Sequence, residues 1–166
     1  YPLRVAARDA VKAKVGSVVY DLEVPDFYKA PFVMSGVALT STQAGLIPTI
    51  KAKDPLGDFL PGPPTTVREF DTADTIALFA EVYENGKTAT HTIDLRAELR
   101  GEGGKAVRTV TEERSSTEIK GGGGYGFAAR LPLQDIAPGL YVLHVEAQSR
   151  AGERPSASRD IQVRVR

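Results

Sequence analysis

Two histidines, His91 and His144, and not a single cysteine are all that the chain offers for activating a nucleophile or gripping a soft metal. Thiol catalysis, disulfides and cysteine-ligated zinc are therefore excluded. A serine–histidine–carboxylate device would have to use one of the two histidines, with an orienting partner within hydrogen-bond reach. In His91-Thr-Ile-Asp94 the two polar residues have opposite parity, so on a regular strand they point to opposite faces of the sheet. His144 stands between Leu143 and Val145, on the outward side of its run with Val142 and Glu146. Both histidines read as solvated surface side chains.

Other chemistry is as thinly supplied. Ser35-Gly36 lacks the preceding glycine pattern and the strand-turn-helix setting of a nucleophile elbow. Glycines 121–124 run into Tyr125-Gly126 without the lysine–serine/threonine pair of a phosphate loop, and Lys120 precedes them, in the wrong order. They read as a flexible loop. Asp54, Asp58, Asp71 and Asp74 carry the hard oxygens calcium requires, but their spacing is not that of a cation loop, and they read as turn formers. There is no tryptophan to serve as a sugar platform; Phe59, Tyr83 and Tyr125 are the aromatics expected at the surface. The candidate surface for a ligand or partner is accordingly Phe59 together with Lys120, Tyr125 and Phe127. No catalytic or metal-binding residue is assigned, no cofactor is expected, and the chain reads as non-enzymatic.

The elements that must position these residues are strands. Apolar residues recur with period two between turn residues, and no window sustains a helical stripe. In residues 93–100 every odd residue is apolar and every even one charged, the pattern of a strand with one face on a core and one in water. Residues 76–83 precede it, and the Asn85-Gly86 between them predicts a tight hairpin. Residues 32–39 form another strand, 106–110 a weaker one, 111–120 a polar mobile loop, and 46–64 a long connection lying over the sandwich. Pro132 sets residues 127–133 at an edge or a bend.

One pattern occurs twice. Tyr1-Pro-Leu3-Arg-Val5-Ala-Ala7 returns as Tyr141-Val-Leu143-His-Val145-Glu-Ala147, and each leads through a polar loop to a second alternating run, 20–24 and 159–163. The tyrosine after Pro138-Gly139 resembles the tyrosine corner of immunoglobulin-like sandwiches, whose hydroxyl bonds to backbone upstream, which makes Tyr141 and Tyr1 structural. The expected fold is an all-β, immunoglobulin-like antiparallel β-sandwich over residues 27–166, preceded at 1–26 by the terminal β-hairpin of a similar sandwich. That hairpin should dock on the sandwich; homodimerisation by strand pairing is the alternative. Lysine plus arginine equals aspartate plus glutamate at 21 each, so no net field draws the chain to nucleic acid or an acidic membrane surface. No apolar run is long enough for a membrane-spanning helix.

Several segments together resemble the C-terminal region of von Willebrand factor A related proteins of acidobacterial type. They are Arg4-Val-Ala-Ala-Arg8-Asp9, the run from Val15-Gly16-Ser17 through Tyr20, Leu22 and Val24-Pro25-Asp26-Phe27, Met34-Ser35-Gly36 with Leu39, Arg68-Glu-Phe70, Leu78-Phe79-Ala-Glu81-Val-Tyr83, Leu131-Pro-Leu133, and Pro138-Gly139-Leu-Tyr141-Val-Leu143. The resemblance implies an exported bacterial protein in which sandwich modules follow an adhesion-type domain, and partners that are proteins or neighbouring domains of the same parent chain. The Asp-x-Ser-x-Ser metal motif of that domain does not occur in this sequence. Expected function is thus an accessory or protein-interaction module, with a small-ligand or carbohydrate-binding module as the alternative.

Overall fold

A computed structural model describes residues 1–43, 55–85, 89–118 and 124–166. The strands in chain order are β1 (Pro2–Arg8), β2 (Val15–Asp21), β3 (Phe32–Met34), β4 (Ala38–Ser41), β5 (Glu69–Phe70), β6 (Thr75–Glu84), β7 (Thr92–Arg100), β8 (Ala106–Ser115), β9 (Tyr125–Pro132), β10 (Gly139–Ser149) and β11 (Ser156–Val165). The chain is an all-β sandwich. Its larger sheet runs β5-β11-β10-β7-β8, antiparallel except where two residues of β5 lie parallel to β11. In the smaller sheet β6 is central, with β9 along one side and β3 then β4 along the other. Inward residues of both sheets, among them Met34, Leu78, Phe127, Leu95, Leu99 and Leu143, interdigitate as one core.

Alternation explains most of this. In β7, Ile93, Leu95, Ala97 and Leu99 point into the core while Asp94, Arg96, Glu98 and Arg100 point out. β6 is apolar on both sides because both sides are covered: Ala77 and Phe79, on its outer face, pack under Leu60 and Leu56 from the connection before β5. That connection is tied down by Thr65 N–H to Leu39 O at 2.7 Å and by the Thr40 hydroxyl to Pro63 O at 2.9 Å. Its expected place over the sandwich is observed for residues 55–64; residues 44–54 lie outside the described ones.

β6 and β7 do not pair, against the expectation raised by Asn85-Gly86; they belong to different sheets. Both sides of β6 are taken by strands of its own sheet, and both sides of β7 by β10 and β8. Asn85 is used otherwise: its Nδ2 donates to the carbonyls of Phe27 and Ala30, and its own N–H to Pro31 O at 2.9 Å, clamping the segment that leads into β3. Residues 32–39 are two short strands rather than one. Ser35 makes the break: its N–H donates to Glu81 O at 2.8 Å while its hydroxyl accepts from Glu81 N–H at 2.9 Å. The expected mobile loop at 111–120 is also overturned in part. β8 continues through Ser115 and a short 3-10 turn covers Ser116–Glu118, because the polar residues 111–114 alternate across an edge strand.

The N-terminal hairpin forms, as β1 and β2, paired from Pro2↔Asp21 to Arg8↔Val15. It does not dock. Every residue of both strands is exposed, and Tyr1, at 86% exposure, has no structural packing role. Its second strand is Val15–Asp21, earlier than the run at 20–24, because the ladder closes where Tyr1 and Leu22 exchange backbone bonds of 2.7 and 2.8 Å. The turn resembles that of the β10–β11 hairpin but is one residue shorter. Asp9 N–H to Lys14 O at 2.8 Å closes the first and Ser149 N–H to Pro155 O at 2.9 Å the second, and in each the residue just before the acceptor has positive φ, Ala13 at 53° and Arg154 at 55°.

Candidate functional site

The outward face of the larger sheet carries the densest set of polar side chains, and strand register arranges them in rows. Thr109, Glu98, His144 and Asp160 stand opposite one another across β8, β7, β10 and β11; Thr111, Arg96, Glu146 and Ser158 form the next row, and Glu113, Asp94, Gln148 and Ser156 the one after. Directly opposed side chains on one face are within reach of each other. His144 Nδ1 lies 2.6 Å from Asp160 Oδ1, and Glu98 meets Arg100 at 2.6 Å and Arg96 at 3.4 Å.

Glu98 is only 6% exposed although it belongs to the outward face. Burial raises its pKa, but the Arg100 hydrogen bond and the charges of Arg96, Arg100 and His144 outweigh it, so the carboxyl stays below its usual range. The second and third rows frame a hollow of about 490 Å³ lined by Arg96, Thr111, Glu113, Glu146, Gln148 and Arg150, with Asp94 at its side. Arg150, from the β10–β11 turn, closes one end: its guanidinium grips Asp94 in a two-point fork, Nε to Oδ2 at 2.8 Å, and also reaches Glu113. Those two carboxylates raise its pKa further above the ordinary arginine value. The face is a plane of charges already locked to one another.

The histidines depart from the expectation of free solvation. His91 is nearly covered, its Nε2 2.8 Å from Glu84 Oε2 and its Nδ1 2.7 Å from Ala89 O. Ser149, fully buried in β10, donates to the other oxygen of Glu84 at 2.9 Å. The order is serine, carboxylate, histidine, so the imidazole faces away from the hydroxyl and cannot take its proton; the trio instead ties the end of β6 to the larger sheet. The burial of His91 follows from the crossing between sheets, which its parity within 91–94 does not reveal. His144 does lie on the outward face, but it too is held, by Asp160.

Of the four residues named from sequence as a ligand surface, one is where expected. Phe59 is 48% exposed, its ring stacked on Phe79 at 4.3 Å between centroids. Phe127 is 0% exposed, and Tyr125 is 4% exposed; both belong to the core, because β9 alternates from its first residue and these two have inward parity. Lys120 lies outside the described residues. Phe59 and Tyr125 nevertheless flank one small cleft, of about 200 Å³, with Arg114, Glu118, Gly124 and Gly126. The two glycines are there for closeness: a Cβ on Gly124 would come within 3.0 Å of Val82 O, and one on Gly126 within 3.2 Å of the Phe79 ring. Tyr83 is half-buried, stacked on Phe27.

Asp71 and Asp74 line another hollow, at the base of the sandwich, with Glu69 and Arg166. Asp74 accepts from the Thr42 hydroxyl and from the N–H groups of Thr75 at 2.8 Å and Gln43 at 3.3 Å. Burial opposes its ionisation, and those hydrogen bonds, with one from Ser41, overcome it and lower its pKa. It is a loop clamp, in keeping with the turn reading; among the described residues no group of three or more acidic or histidine side chains has a metal-binding arrangement. Tyr141 also performs as expected, its hydroxyl donating to Ala137 O at 2.7 Å. Among the described residues no helix is long and apolar enough to cross a membrane.

No protein-family model matches the chain, and no curated protein does. Among solved structures it is similar to the crystal structure of a Bacteroides uniformis beta-glucuronidase, at 14% sequence identity and a TM-score of 0.43. That likeness covers 80% of this chain, which spans only 14% of the length of the glucuronidase chain.

Proposed function

We propose that this chain is a non-catalytic accessory module of a larger exported bacterial protein, and that it engages a protein partner through the outward face of its five-stranded sheet. The observation that carries the reading is the locked charge plane. Glu98, Arg96, Arg100, His144 and Asp160, with the Arg150 fork beside them, hold fixed positions on a broad, open sheet face. A partner meeting that plane finds its charges already oriented, so little side-chain freedom is lost on contact. Both histidines are engaged in structural bonds, which favours binding over chemistry. Export and the company of other domains rest on the resemblance to von Willebrand factor A related proteins.

The test is capture from the secreted fraction of a host bacterium with the module as bait, set against an Arg96→Glu/Glu146→Arg variant. The expected result is a partner set held by the native module and lost by the variant, with both folded by circular dichroism at the temperature of capture. Identical capture by both overturns the reading. A small-ligand module is favoured by one feature, the half-exposed Phe59 ring beside the cleft with Arg114 and Tyr125. It is tested by thermal shift against a panel of sugars and organic acids, with Phe59→Ala as the control: stabilisation lost in the variant would support it.

A further inference from the structure

We infer that the hollow on the outward face of the larger sheet receives a basic side chain, lysine or arginine, from the protein partner, and that Glu146 is the carboxylate that pairs with it. This rests on the reading of that face as the docking surface and names what the partner must bring to it. Four carboxylates, Asp94, Glu112, Glu113 and Glu146, line the hollow against two guanidiniums, Arg96 and Arg150, so negative charge is in excess there. Three of the four are already claimed. Arg150 holds Asp94 and Glu113, and Arg114 holds Glu112. Among the described residues the Glu146 side chain makes no hydrogen bond. Its one ionic contact there is with His144 Nε2 at 3.8 Å, beyond hydrogen-bond length, since that ring turns its Nδ1 to Asp160 at 2.6 Å.

Register explains why Glu146 is left over. It lies directly opposite Arg96 across the β7–β10 ladder, where an ion pair would ordinarily form. Arg96 instead points its Nε at Glu98 Oε1, 3.4 Å away, and Glu98 also takes Arg100 at 2.6 Å. Two guanidiniums thus converge on one carboxylate of the first row, and the neighbouring carboxylate of the second row goes without. Glu146 is central as well as unpaired: β10 has β7 on one side and β11 on the other, and the side chain is 34% exposed. Gln148, two residues on and on the same face, adds an amide oxygen to the same hollow.

Covering this face turns the unpaired carboxylate into a requirement. Charges that neutralise one another within the plane keep their partners when water leaves, whereas a lone carboxylate stripped of water is costly unless the incoming surface supplies its counter-charge. A partner that presents an acidic or a purely apolar patch here is rejected, and one that presents a cation is selected. The ammonium of a lysine would meet Glu146 as a point charge, and the guanidinium of an arginine as a two-point fork. The hollow, of about 490 Å³, has room for either.

The experiment selects a phage-displayed library of random peptides against the 166-residue chain, each variant first checked for the native circular dichroism spectrum. Selected peptides should carry one lysine or arginine whose replacement by alanine abolishes binding. They should bind Glu146→Gln about tenfold or more weakly, yet bind Glu102→Gln, which removes an exposed carboxylate from the turn after β7, as well as the native chain. A peptide whose basic residue is changed to glutamate should lose the native chain and be recovered by Glu146→Arg. The cation that selection prefers separates the fork from the point charge. Peptides that bind the native chain and Glu146→Gln alike overturn the inference. If Arg96→Glu still weakens them, the face remains the docking surface and only its demand for a cation falls; if it does not, the docking reading falls as well. A library that yields no binder also overturns the inference and leaves the docking reading to its own capture test.

Discussion

Glu98 shows how one side chain can serve both the sheet and its surface. Its depressed pKa makes its stabilisation complete above the ordinary glutamate range, about pH 4.3, and lost as pH falls below that range through the folded-state value. Glu98→Gln should therefore cost about 1–3 kcal/mol at neutral pH and flatten the acid limb of a pH–melting curve. At the other end of the scale, the Glu81 hydrogen bond and then burial push Tyr83 up to about 12, while burial and then the Glu84 charge push Tyr125 up to about 12. The folded chain keeps both phenols neutral where the unfolded chain ionises, so their stabilisation is full below about pH 10 and disappears as pH rises from there towards 12. Alkaline melts followed by tyrosinate absorbance should show Tyr125→Phe with the shallower loss. Tyr141→Phe removes the bond to Ala137 and should lower stability by about 1 kcal/mol, read by urea unfolding.

Among the elements, those whose two faces differ were legible. β7 and β10 alternate cleanly, so which of their faces meets the core and the outward place of His144 could be read from residues alone. Legibility failed where local chemistry was overruled by long-range partners. Asn85-Gly86 reads as a tight turn, yet the asparagine side chain reaches back to Phe27 and Ala30 while the chain crosses to the other sheet. Asn85→Ala should release that segment, costing about 1–3 kcal/mol and speeding amide exchange around Pro31 and β3. Polar alternation in 111–115 looks like loop, but Arg108, Glu112 and Arg114 point inward along an edge strand, a device that discourages pairing with other chains. Aromatic residues after glycine looked exposed, but parity in β9 takes Tyr125 and Phe127 into the core. The rows of the candidate face were invisible because they exist only once four strands are side by side.

At the scale of the molecule, the sandwich and the hairpin are separate investments of the same sequence pattern, one buried and one bare. Deleting residues 1–25 keeps Phe27, Ala30 and their clamp, so the sandwich should melt within a degree or two of the full chain; a large drop would mean the hairpin supports it. The division of strands between sheets also governs how the sandwich is made. β10 and β11 can zip as soon as both exist, and so can β7 and β8, but β6 must wait for β9, with the whole of β7 and β8 emerging in between. At about 5–20 residues per second of synthesis, that central strand spends several seconds with its β9 side unsatisfied. The interval in which a chaperone or a neighbouring ribosome's product can meet the open edge of β6 therefore ends with the arrival of β9, before β7 and β5 find their partners β10 and β11.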